Sequence, residues 1–356
     1  MAQDASDPRG GSPAAALDLA ARAAAAAAHA DALRDATARD LAIPEALRLD
    51  ERTRAGIAAR LEEIVASIEA GLLAAVAPLG FPGIGPTLPR LRAAGLAADP
   101  ALIGEVLAQV RLEQLARGLP HHAPHNPSQH NLLGRLAEHP VEVLAGAARS
   151  LMVAESNARS PEAGRWQLPE HLHTQLLWWV AAAMREQAGP LAGLALDTAL
   201  GAAVQADRAR IAALAEAQPD AAALHLVRLL APAPRELSAM LVEALADRRV
   251  PLFLALIAEA GGIAVAEARA LLLDPGAERL LLVLNALGVS REAMAQIGFL
   301  LCEADPGRDL STLVETLDAL GTPDAAAGHD LLAQLRWDPA YRAARRAVGG
   351  SLASRA

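Results

Sequence analysis

The segment Leu273-Asp-Pro-Gly-Ala-Glu-Arg-Leu-Leu-Leu-Val-Leu284 opens on Asp-Pro-Gly, and the same opening recurs in Ala304-Asp-Pro-Gly-Arg-Asp-Leu310. A third Asp-Pro stands at 338–339, so the aspartates at 274, 305 and 338 are 31 and 33 residues apart. Proline lacks the amide needed inside a helix, and Asp-Pro followed by Gly favours a turn. Each interval therefore has room for two helices of roughly ten to fourteen residues, with Thr322-Pro323-Asp324 starting one inside the second interval. The Val/Ile/Thr alternation of a strand is absent. A spacing near 32 residues is close to that of helical-hairpin repeats, in which each unit buries its apolar face on its neighbours. The expected fold is all-α: stacked helical hairpins in an array over 131–348. Stripes such as Leu241, Leu245, Leu252 and Leu256, and Leu280, Leu284 and Leu287, should form its core.

Working back, Trp166-Gln-Leu-Pro-Glu-His-Leu-His-Thr-Gln-Leu-Leu-Trp-Trp-Val-Ala-Ala-Ala-Met-Arg-Glu186 holds three of the four tryptophans of a chain with only 2% aromatics. On a helical wheel Leu172, Leu176, Trp179, Val180, Ala183 and Met184 share one face, which is expected to be core. Trp178 points nearly the opposite way, with His171, Thr174, Gln175 and Arg185. Either a further helical layer covers that indole, or it stands exposed as a contact residue with Arg185 flanking it.

Further back the pattern changes. Residues 1–13 are expected to form a disordered tail, and 14–119 an N-terminal helical region that begins Ala-rich. Ile57, Leu61, Ile64, Val65, Ile68 and Leu72 recur at helical spacing and predict an amphipathic helix over 50–76. Asp99-Pro100 is a cap followed by proline in the first turn, opening a helix that ends near Gly118. Between them, residues 70–89 form the longest uncharged apolar run, but Pro78, Pro82, Pro86 and Pro89 make it a helix end and a loop rather than a membrane span. A His/Pro-rich linker is expected at 120–130, a further helix over 141–157, and a frayed tail at 349–356.

Composition narrows the function classes. The 356 residues carry a net charge of −9, with 53% hydrophobic and 21% charged residues, which is globular rather than disordered. All 32 basic residues are arginine, in keeping with a compositional bias that also raises Ala, Gly and Pro. An acidic chain repels phosphate backbones on average, so nucleic acid is not the expected partner. The lone Cys302 precludes an intrachain disulfide, lies in an apolar run as a core thiol would, and makes a reducing compartment the expectation.

No catalytic residue, metal or cofactor is assigned. Seven of ten histidines fall between 121 and 173, at His121, His122, His125, His130, His139, His171 and His173. Imidazole is a common ligand, yet His121 and His125 straddle prolines, and His171 and His173 sit about 200° apart on a helix of 3.6 residues per turn. A metal-dependent enzyme using this region is the weaker alternative. Gly80 to Pro86 is glycine-rich but lacks the Lys-Ser/Thr of a phosphate loop, and no Gly-x-Ser-x-Gly elbow occurs. Arg336, Arg342, Arg345 and Arg346 make a basic end that could grip nucleic acid, although arginines late in a helix also complement its dipole. Arg248-Arg249 is expected to be an ordinary polar helix end.

Three segments, Ile43-Pro-Glu-Ala-Leu-Arg-Leu-Asp-Glu-Arg-Thr-Arg54, Leu177-Trp-Trp-Val-Ala-Ala-Ala-Met-Arg-Glu186 and the pair of Asp-Pro-Gly segments, together resemble a bacterial family of helical, HEAT-like proteins known only as a domain of unknown function. The likeness runs over most of residues 14–348. It implies the helical fold and a cytoplasmic setting, and it brings no catalytic residues. The expected function is a non-enzymatic protein-interaction scaffold or regulatory adaptor whose partner is another protein, with Trp178 and Arg185 as the contact residues. The nucleic-acid-binding array is the first alternative.

Overall fold

The computed structural model describes residues 49–80, 84–120, 131–158, 168–189, 193–319, 325–342, 344–345 and 348. Contacts divide the chain into two units, 1–54 and 55–356. In the first unit the described residues are 49–54, where the Asp50 carboxylate accepts the amide of Thr53 at 2.8 Å and so caps helix α1 (Glu51–Val76). The Ala-rich stretch, the His/Pro linker beyond Pro120 and both tails lie outside the described residues.

In the second unit, fourteen further helices follow among the described residues, and no strand occurs there. They are α2 (Leu88–Ala93), α3 (Pro100–Gly118), α4 (Leu132–Ala137), α5 (Glu142–Ala158), α6 (Glu170–Ala188), α7 (Gly193–Leu214) and α8 (Pro219–Leu230). Then come α9 (Pro234–Ala246), α10 (Val250–Gly261), α11 (Val265–Leu272), α12 (Glu278–Ala286), α13 (Arg291–Ala304), α14 (Leu310–Ala319) and α15 (Ala325–Leu335). Each Asp-Pro interval holds the two helices expected of it, α12 and α13 in the first, α14 and α15 in the second.

The three Asp-Pro turns work differently. The Asp305 carboxylate accepts the Gly307 amide at 3.0 Å, and that of Asp338 accepts the Ala340 amide at 2.7 Å. Asp274 instead offers its backbone carbonyl to the Ala277 amide at 3.1 Å. The Asp99 cap on α3 is as expected, accepting from the Ala101 and Leu102 amides at 3.1 and 2.9 Å. Helix α2 is unforeseen: its proline sits in the first turn, where the missing amide would have no partner anyway.

Helix α10 is the centre of the array. Val250, Leu252, Phe253, Leu254, Ala255, Leu256, Ile257 and Ala258 are all buried, as required of a helix that is apolar around its whole circumference. It packs against α8, α9 and α11, while α5 packs on α8, α9 on α13, and α12 on α15. Leu241, Leu245, Leu252, Leu256, Leu280 and Leu284 are buried as expected, with Leu287 only partly so. The end of helix α3 joins the same core: α3 packs on α11 and α13, and Leu115 and Leu119 belong to the cluster built by α4, α5 and α8–α15. Cohesion therefore crosses the 120–130 segment at the end of α3, while the buried residues of α1 and α2 lie outside that cluster.

Close approach is made by glycine where helices meet. A Cβ on Gly118 would strike the backbone of Ala304 on α13, and one on Gly328 in α15 would lie 2.9 Å from Ala286 on α12. No single helix among the described residues is long and apolar enough to cross a membrane. Only α10 and α11 taken together pass that test, and they are bent by 115°.

Arg248 and Arg249 are not an ordinary polar helix end. Arg248 takes a left-handed backbone (φ 58°) and donates to the carbonyl of Leu119. Arg249 pairs with Glu155, which is 7% exposed in the last turn of α5. A buried carboxylate needs a partner, and the chain supplies one from 94 residues away.

Candidate interaction site

Helices α6 and α7 form an antiparallel hairpin that packs α6 against α2. Leu172, Leu176, Leu177, Val180, Ala183 and Met184 are buried, so the apolar face of the wheel is core. Trp179 is only partly buried, and Leu177, which the wheel left off that face, is 1% exposed. The difference arises because α6 is covered from two directions rather than one.

Two polar clasps fix the hairpin. Near its start, His173, 1% exposed, places Nε2 3.1 Å from Asp207 of α7. Burial by itself would push the Asp207 carboxyl up, but the hydrogen bonds from His173 and Arg210 outweigh it and leave the group below its ordinary range. Near the other end, Arg185 donates from Nε to Asp197 at 2.7 Å and from Nη1 to the Gly189 carbonyl at 2.8 Å. Beyond it, Gln187 accepts the Gly85 amide at 2.7 Å and donates to the Pro86 carbonyl at 3.2 Å, pinning the end of the Gly/Pro loop to α6.

On this rigid frame Trp178 is 43% exposed, with His171 and Ala182 also at the surface. Of the two readings of Trp178, full cover by a further helical layer is therefore not what the structure has. Arg185 lies on the same side but is largely committed within the chain, with its side chain 27% exposed.

The other sequence candidates are dispersed. His121, His122, His125, His130, Trp166 and Arg346 lie outside the described residues. His139 caps its own turn by accepting the Val141 amide at 3.1 Å, and His171 is at the surface. Among the described residues no three His, Cys, Asp or Glu side chains are grouped to hold a metal ion. Cys302 is partly buried, and burial raises its thiol pKa. Arg336 donates from Nε to the Gly261 carbonyl at 2.8 Å, Arg342 grips Glu267 of α11 with both terminal nitrogens, and Arg345 lies over the Trp337 ring, 5.0 Å from its centroid.

Sequence reasoning missed the long-range polar pairs: Glu105 with Arg269, Glu155 with Arg249, and buried Arg308, whose Nη2 donates to the Leu272 carbonyl at 2.7 Å. No local spacing signals a pair separated by 94 or 164 residues.

These features define an all-helical array with a fixed hairpin presenting a half-exposed indole. The chain belongs to the bacterial family described as "Uncharacterised protein conserved in bacteria (DUF2336)", whose pattern matches residues 134–330. The match begins inside α4 and ends inside α15, so it contains Trp178 and Arg185 but not Arg336, Arg342, Arg345 or the Ile43–Arg54 segment. No match was found among curated proteins or solved structures.

Proposed function

We propose that this protein is a non-enzymatic interaction scaffold or regulatory adaptor, acting in the cytoplasm on another protein. The observation that carries the reading is Trp178: a large aromatic, 43% exposed, on a helix locked at both ends. A rigid indole contributes contact area at little entropic cost, and Trp is enriched among residues that dominate interface energies. Arg185 flanks it as a rim contact. Its fork is partly spent on Asp197, so its contribution would be smaller than that of Trp178.

The test is affinity capture from native cytoplasm with wild type and Trp178→Ala, after circular dichroism has matched their helicity. A specific protein retained by wild type and lost by the variant supports both the reading and the site. Equal retention moves the contact elsewhere. Loss of helicity in the variant would mean that Trp178 serves packing.

A further inference from the structure

The far end of the array carries a second surface of different chemistry. A groove of about 330 Å³ lies between α12, α15 and the segment after it, lined by Arg279, Leu331, Leu335, Trp337, Arg342 and Arg345. Three guanidinium groups share it, in a chain whose net charge is −9. Arg342 is matched by Glu267, with an Nη1–Oε2 distance of 2.8 Å, while its Nε is buried without a hydrogen-bond partner. Neither Arg279 nor Arg345 has an ion-pair partner among the described residues, although both are exposed. The Asp338 carboxylate accepts the Ala340 and Tyr341 amides.

Arg345 is also oriented in advance. It stacks on Trp337, whose ring meets Tyr341 edge-on at 5.8 Å. Stacking immobilises a guanidinium while leaving its N–H edge free to grip a carboxylate with two parallel hydrogen bonds. Both aromatics are partly exposed, and Leu331 and Leu335 give the groove an apolar floor.

We infer that this groove binds an acidic peptide segment of a partner protein, its carboxylates on Arg279 and Arg345 and an apolar side chain on Leu331 and Leu335. Nucleic acid fits less well. Arg345 already covers a face of Trp337, which hinders base stacking, and the acidic chain opposes a long phosphate backbone. The inference deepens the interaction reading but does not depend on the α6 face, so the two fail separately.

The test uses the full chain and a fluorescein-labelled peptide of alternating glutamate and leucine, followed by anisotropy. A single-stranded oligonucleotide of equal charge serves as comparison. Saturable peptide binding is expected, weakened about tenfold or more in Arg279→Gln/Arg345→Gln as charge-assisted hydrogen bonds are lost. It should be unchanged in Trp178→Ala. Arg279→Gln alone leaves the Trp337 stack in place and should lose part of the affinity. No peptide binding, equal binding by the double variant, or tighter binding of the oligonucleotide would each overturn the proposal.

Discussion

Glu105 of α3 and Arg269 of α11 face each other through two parallel hydrogen bonds of 2.9 and 2.7 Å, with side chains only 11% and 17% exposed. This pair ties the helix before the 120–130 segment to the array after it. Removing one partner of a buried pair costs about 3–5 kcal/mol, and the Asp220 carboxylate, which also interacts with Arg269, places this loss at the lower end. Glu105→Ala should lower stability by about 3 kcal/mol in urea unfolding. The reversed pair Glu105→Arg/Arg269→Glu should recover part of it. A loss no larger than that of an exposed ion pair would show that the contact contributes little.

Two glycines on α3 should respond in opposite directions to alanine. Gly118 abuts Ala304, whose carbonyl carbon lies 2.9 Å from where a Cβ would be placed. Overpacking of this kind costs about 1–3 kcal/mol, and backbone has little room to yield. Gly104 has nothing within 4 Å, so alanine there should gain up to about 1 kcal/mol of helix propensity. Thermal unfolding of the two variants checks the contrast, which a shared direction would refute.

The acid limb of stability should carry a signature from Asp309. Its carboxyl is lowered from 3.8 to about 2, first by the Ser311 hydroxyl, then by the Ser311 amide and the Thr312 hydroxyl. A depressed folded-state pKa stabilises the fold above the unfolded value and loses that contribution as pH falls through the folded one. The stability difference between wild type and Asp309→Ala should therefore be full above pH 4 and vanish towards pH 2. A difference that does not change over that window would assign the effect to packing instead.

Phenylalanine truncations should separate core from surface. Phe253 in α10 is fully buried, and Phe253→Ala should cost about 3–5 kcal/mol. Phe299 is 50% exposed, so Phe299→Ala should cost well under half of that, as surface changes do. Parallel denaturant melts decide, and equal losses would mean that Phe299 is covered in solution.

The elements of this fold could be read from local chemistry. Asp50 and Asp99 cap the helices they precede because a short carboxylate reaches free amides within three residues. The Asp-Pro marks at 274, 305 and 338 delimit helix pairs because proline lacks the amide that a helix interior needs and is tolerated only before or in a first turn. Periodicity likewise located the core faces of α1 and α9. The candidate site was only half legible: a wheel put Trp178 opposite the core of α6, but nothing in the sequence stated what lay on that side.

What the sequence determined by itself was therefore the all-helical class, the starts of capped helices such as α1 and α3, and the family. Tertiary structure alone decided that α3 shares a core with α13 and that Arg249 serves buried Glu155. It also left Trp178 half open while covering Leu177. The physical reason is range. Caps, prolines and apolar periods act within one or two helical turns, whereas packing of helices and pairing of buried charges join residues from 34 to 164 positions apart in the chain.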